Sequence, residues 1–195
     1  MVSTSFISPR KDPQTLSEIF HWVEFELPLE RFLAMLTSDY KIGEVVDYAL
    51  VVGGYQDLNI KLTTSLGKYF VKVFSLGKPP GHIEQQVQLA ATLPELGIPF
   101  PKLYESSHGS IFHFSLEDQG KKRVVDAVVM EYIEGHSFNE ITPTIKHMKK
   151  VIKYMSIIHS LKLKTVHKYD EWAAVNLALE FDKRKAYMVK EDLSL

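Results

Sequence analysis

Residues 51–72 read VVGGYQDLNIKLTTSLGKYFVK, and the fold turns on this stretch. An apolar run ends on two glycines, Gly53 and Gly54. A second run, LNIKLTT, alternates apolar and polar side chains with the period of a half-buried strand. The turn Ser65-Leu66-Gly67-Lys68 leads into a third run, KYFVKVF, which carries Lys72 between Val71 and Val73. A lysine inside a half-buried strand either snorkels to water or meets an anion, because a desolvated ammonium without a partner is costly. The paired glycines favour an anion. Without a Cβ the backbone approaches a ligand closely, and N–H groups in such a loop point at phosphate oxygens. Taken alone, Gly-Gly is also what a bulge or a hairpin turn uses.

Working outward, VVDYALVV from Val45 supplies a strand before the glycines, so residues 45–74 predict an antiparallel three-stranded meander. From Pro80 to Leu96 the positions Ile83, Val87, Leu89, Ala90 and Leu93 are spaced as on a helix, with Pro94 ending or kinking it. IFHFSLED, a lysine-rich turn at Gln119 to Arg123, and VVDAVVMEYI complete five strands and one helix. Upstream, residues to about Gln14 read as a loose tail, and Leu16 to Asp39 as one or two short helices broken near Pro28. Beyond Gly135 the strand signals stop. Thr142 or Thr144 caps a helix carrying Ile145, Met148, Ile152, Met155, Ile158 and Leu161, and a further helical segment is expected from about Tyr169 to Val189, with Trp172, Val175 and Leu179 apolar. The class is α+β. The expected division is 1–39 for tail and short helices, 40–134 for the strand-rich lobe, and 135–195 for the start of a helical lobe.

Bulk properties narrow the partners. With 195 residues, 45% of them apolar and 24% charged, the chain has the composition of an ordinary globular protein. A formal net charge of -1, with lysines scattered rather than massed, argues against a nucleic acid or an anionic membrane as partner. The absence of cysteine rules out disulfides and thiolate metal sites and fits a reducing, cytoplasmic setting. Neither a signal peptide nor a membrane span is expected, since the most apolar late run contains Asp126 and Glu131.

Chemically, strand, Gly-Gly, strand, turn and strand with an inward lysine is a way to hold phosphates. Lys72 supplies the point charge, and Glu84, near the start of the following helix, is the carboxylate expected to hold it. The run VVMEYIEG exits a strand into a glycine. There a main-chain carbonyl and a main-chain N–H can be offered to the edge of a flat heterocycle, which singles out Glu131 and Ile133 through their backbones. Met130 precedes them on a buried strand, where core packing explains it whatever else it does.

The ordered set GGYQDLNIKLTTSLGKYFVKVF, Glu84 in a helix, LGIPFPKL, VVMEYIEG and IIHSL resembles the N-terminal lobe and connector of the aminoglycoside phosphotransferase family, small-molecule kinases with a protein-kinase-like fold. The resemblance covers roughly Tyr40 to Leu161. It implies ATP as cofactor, a loop of Gly53, Gly54 and Tyr55 over its phosphates, Lys72 as the phosphate-contacting lysine with Glu84 as its helix partner, Met130 at the back of the adenine slot, and Glu131 to Ile133 as the hinge. The glycine loop lacks the full G-x-G-x-x-G of protein kinases, and Asp57 stands where members of that family often carry asparagine.

Phosphoryl transfer in this fold also needs an aspartate for the acceptor hydroxyl, and an asparagine and a second aspartate for magnesium. None of the eight histidines is followed two positions on by an aspartate, so the H-x-D-x-x-x-x-N pattern is missing. His167, Asp170 and Asn176 have the wrong spacing and read as surface and packing. Asp118-Gln119-Gly120 imitates a metal-binding D-x-G but falls in a turn between strands. His159 reads as a structural histidine on the apolar side of its helix, and Lys146, Lys149, Lys150 and Lys153 as a solvated face. The expectation is therefore the ATP-binding half of a truncated small-molecule kinase, with magnesium expected only in a complete chain and the alcohol acceptor undetermined. The other class is a non-catalytic nucleotide-binding or protein-interaction module whose exposed helices self-associate or meet a missing C-terminal half.

Overall fold

The computed structural model describes residues 25–51, 57–118, 120–136, 138 and 140–161. They lie within one compact unit, Met1–Leu161. Among the described residues eight elements follow in order: α1 (Leu29–Tyr40), β1 (Val45–Leu50), β2 (Leu58–Thr64), β3 (Gly67–Val73), α2 (His82–Glu95), β4 (Phe112–Asp118), β5 (Lys121–Glu131) and α3 (Ile145–Ser160). The strands form one sheet in the order β1-β2-β3-β5-β4, with every neighbouring pair antiparallel. This is the α+β architecture expected, a five-stranded kinase-like N-terminal lobe followed by a helix.

Period-two alternation divides the sheet into two unlike faces. Leu58, Ile60 and Leu62 of β2, Tyr69, Val71 and Val73 of β3, Val125, Ala127 and Val129 of β5, and Phe112, Phe114 and Leu116 of β4 all point to one side and are buried. Helix α1 closes that side. Its apolar residues Leu29, Phe32, Leu33, Leu36 and Tyr40 recur at helical spacing and are buried in the same cluster. Phe32 meets the rings of Phe112 and Phe114 edge-on at 5.7 and 5.4 Å, a favoured aromatic geometry. The Tyr40 hydroxyl donates to the Ser110 carbonyl at 2.6 Å. The helix starts directly after Pro28, as that residue's missing N–H allows, and ends at Lys41 in the left-handed region. The segment placed before the lobe in the sequence thus supplies the cover of its larger core.

Register fixes the opposite face. Asn59 stands opposite Lys72, which stands opposite Val128, and the next row along is Lys61, Phe70, Met130. Here Phe74, Val128 and Met130 form a smaller buried cluster, with Phe70, Ile83, Val87, Phe100, Leu103 and Ile111 packed around it. Ile83 and Val87, one helical turn apart, bring α2 onto this face. That helix starts at Gly81, whose φ of +77° suits glycine, and carries Pro94 in its last turn. Strand β5 is buried on both faces through Val128 and Val129, the physical reason its sequence is a near-continuous apolar run.

Three expectations are adjusted. The β2–β3 hairpin pairs Thr64 with Gly67, so the turn narrows to Ser65 and Leu66, with the Leu66 N–H donating to Thr64 Oγ1 at 3.1 Å. The lysine-rich turn is also shorter, because Asp118 pairs with Lys121 and β5 starts there. His159 is exposed rather than packed on an apolar side, and α3 buries none of its residues. Of the two threonines offered as its cap, Thr144 takes the role: its hydroxyl accepts from the His147 N–H, and the His147 side chain accepts from the Thr144 N–H, a reciprocal capping box. Among the described residues no helix is long and apolar enough to cross a membrane.

Candidate functional site

Lys72 sits on the face away from α1, in the row between Asn59 and Val128. Its ammonium lies 3.0 Å from Asp57 Oδ2, with the lysine side chain 32% exposed and the aspartate 9%. The expected partner was Glu84, and this is corrected. Glu84 is exposed on α2, one residue along from the inward Ile83, while Asp57 precedes Asn59 by two positions and so lies on the same face as Lys72, diagonally across the β2–β3 pair. A cross-strand diagonal is within reach of a long side chain. Register, more than the neighbouring helix, decides the pairing.

Asp57 holds a second cation. Lys78, from the connection between β3 and α2, places its ammonium 3.0 Å from Asp57 Oδ1, with a side chain only 4% exposed. The Ser75 N–H donates to the same oxygen at 3.1 Å. Both ammonium groups lie 5.6 Å from the Phe74 ring centroid, within cation–π reach. Burial alone would push the Asp57 carboxyl up, but the Lys72 and Lys78 ammonium groups and the Ser75 N–H hold it below the ordinary value of 3.8. The carboxylate is therefore ionised at neutral pH. One negative group shared by two positive ones leaves an excess of one positive charge, and its accessible end is Lys72.

Along the same face, Lys61 Nζ stands 4.7 Å from the centroid of the Tyr132 ring, and Phe70 and Met130 occupy the row beside it. Met130 is buried in the smaller cluster and bridges to Leu103. At the strand's exit the Glu131 N–H donates to the Lys102 carbonyl at 2.8 Å, and the Lys102 N–H meets Glu131 Oε2 at 3.4 Å. These bonds fix residue 131 where β5 gives way to the connector. Ile133 follows, 61% exposed, and Lys68 pairs with Glu134 across the start of that connector.

The structure thus brings Lys72, Phe70 and Met130 onto one face, with Glu131 and Ile133 at its end, and leaves Glu84 on the outer side of α2. Gly53, Gly54 and Tyr55 lie outside the described residues, as do His167, Asp170, Asn176, Trp172, Val175 and Leu179. Among the described residues no group of three or more histidine, aspartate or glutamate side chains is placed to hold a metal ion. Sequence reasoning passed over two members of the site. Asp57 was noted only as a departure; the alternation in DLNIK sets it on one face with Asn59 and Lys61, and only the β2–β3 register makes that the face of Lys72. Lys78 lies in the loop LGKPPG, where no period signals which way a side chain turns.

The sequence pattern of the phosphotransferase enzyme family matches residues 47–193. A homoserine kinase from Burkholderia thailandensis is 25% identical over 127 residues, covering 65% of this chain and 35% of that protein. Homoserine kinases from Burkholderia mallei and Burkholderia pseudomallei are 24% identical over the same length, with the same coverage. The chain spans about a third of the length of these curated relatives.

Proposed function

The chain belongs to the phosphotransferase enzyme family, and from that premise we propose that it is the ATP-binding half of a kinase that transfers the γ-phosphate of ATP to a small-molecule hydroxyl. The observation that carries the reading is the surplus positive charge of the Asp57, Lys72 and Lys78 cluster, presented at Lys72. A polyphosphate is the anion that such a charge beside the apolar side chains of Phe70 and Met130 attracts. In this reading Lys72 contacts the phosphates and the loop at Gly53, Gly54 and Tyr55 covers them. Phe70 and Met130 line the slot for the base, with Met130 at its back. The main chains of Glu131 and Ile133 meet the base's edge. Asp57 replaces Glu84 as the carboxylate that holds Lys72.

Catalysis in this fold is mostly positioning and neutralisation of charge on the transferring phosphoryl group. Residues 40–134 serve the first need by fixing the nucleotide. The acceptor-orienting aspartate and the magnesium ligands match no H-x-D-x-x-x-x-N pattern in the chain, so we assign them to no residue here. The acceptor class is an alcohol of the homoserine, choline or aminoglycoside kind. Calorimetric titration tests the seat. ATP binds the wild-type chain, and Lys72→Ala weakens it at least about tenfold, the loss of one charge-assisted contact; unchanged affinity removes Lys72 from the site.

A second reading, an interaction module, is favoured by α3, where Ile145, Met148, Ile152 and Met155 are 77%, 44%, 61% and 49% exposed. Apolar side chains in that number on one helix favour association, either with another copy or with a helical partner half. Sedimentation over a hundredfold concentration range reports it as a rise in mass, and a constant monomer mass counts against it.

A further inference from the structure

Lys78 belongs to no motif and yet is the most buried cation of the cluster, at 4% exposure. A buried lysine needs a carboxylate, and Asp57 supplies one oxygen to it and the other to Lys72. Were Lys78 absent, Lys72 and Asp57 would form a neutral pair, and an arriving anion would have to compete with Asp57 for the only ammonium. With Lys78 present, the carboxylate stays compensated when Lys72 turns away. Exposure marks which lysine is able to turn, since Lys72 is 32% exposed. The connection is anchored for the role: the Ser75 N–H holds Asp57 Oδ1, and Pro79 and Pro80 follow Lys78 with fixed φ, the Pro79 carbonyl accepting from the His82 N–H at 3.1 Å as α2 starts.

We propose that Lys78 is a positioning residue of the phosphate site, which takes up the charge of Asp57 so that the ammonium of Lys72 is available to a polyphosphate. This rests on the nucleotide reading above and goes beyond it, because it makes affinity for the phosphate tail depend on a side chain that does not touch it. Discrimination between a nucleotide and its nucleoside then follows from the net charge of three residues, and not from Lys72 alone.

The test is a charge cycle read by calorimetric titration with ATP and, separately, with adenosine. Lys78→Met neutralises the surplus, and ATP affinity falls about tenfold while adenosine affinity is unchanged. The double variant Asp57→Asn with Lys78→Met restores the surplus on Lys72 alone, and its ATP affinity returns to within about threefold of wild type. A purely structural Lys78 gives the opposite, since the double variant then binds no better than the single one. Lys78→Gln repeats the single substitution with a polar side chain should the methionine variant fail to fold. The double variant removes the buried charge together with its partner, an exchange that folded proteins tolerate. Unchanged ATP affinity in Lys78→Met or Lys78→Gln, or a double variant as weak as the single, overturns the proposal and leaves the nucleotide seat standing. Equal affinity of the wild-type chain for ATP and adenosine overturns both.

Discussion

On one face of the sheet Ile60, Leu62, Val71, Val73, Val125 and Val129 are wholly buried beneath α1. On the other, one residue along the same strands, Asn59, Lys61, Phe70 and Lys72 stay half-buried. Strand pairing is shared, so the backbone does not cause the difference. The first face is filled with aliphatic and aromatic side chains and carries stability, while the second gives up part of its packing to hold charge. The contrast shows how a small lobe places an ammonium beside a small apolar cluster: α1 seals the far side, so the near side need not be a complete core.

The comparison can be broken from either side. The largest effect is expected on the sealed face, where Phe32→Ala removes a fully buried ring from between Phe112 and Phe114 and costs about 4 kcal/mol in urea unfolding. Nucleotide binding by the fraction that stays folded is unaffected. A loss below about 1 kcal/mol would mean that α1 is not the cover of the core. Next comes Asp57→Ala on the charged face, which leaves the buried Lys78 ammonium without its carboxylate and costs about 3 kcal/mol. A near-neutral result there would show the cluster to be solvated.

Gly43 sharpens the picture at the rim of the sealed face. Its φ is +89°, and an added Cβ would sit 2.5 Å from Ser65 Oγ and 2.9 Å from Leu66 Cγ. Gly43→Ala therefore combines backbone strain with a clash at the hairpin and costs about 2 kcal/mol, again without effect on ATP. The smallest expected effect is a pH dependence. Asp57 is depressed in the folded chain relative to its ordinary value of 3.8, so the ionised form stabilises the fold above that value. The contribution is lost as pH falls from there through the folded-state value. Acid unfolding of Asp57→Asn lacks this component, and identical acid profiles for the two chains would contradict the pairing.

Most of the lobe was legible in the sequence because alternation and turn residues report local geometry. LNIKLTT and KYFVKVF gave strands, and the Pro-Gly before Ile83 and Val87 gave α2. The Lys72 partner was not legible. Choosing between Glu84 and Asp57 requires the β2–β3 register, which pairs Asn59 with Lys72, and pairing is a tertiary property that period alone does not fix. Lys78 was invisible for a related reason: between β3 and α2 the chain has no repeat to orient a side chain, and its burial depends on where Asp57 sits. The cover supplied by α1 was legible as a helix but not as part of the core, since helical spacing names an apolar face without naming what it meets.

The central claim, that the charged face and not the sealed one receives a nucleotide, is tested most directly by following ATP titration with NMR of the intact chain. The account predicts that the signals of Lys72, Ser75, Phe70, Val128 and Met130 shift with added ATP, while the methyl groups of Leu33, Leu62, Val71 and Val125 stay in place. Shifts confined to the α1 side, or no response at Lys72 under saturating ATP, would contradict it.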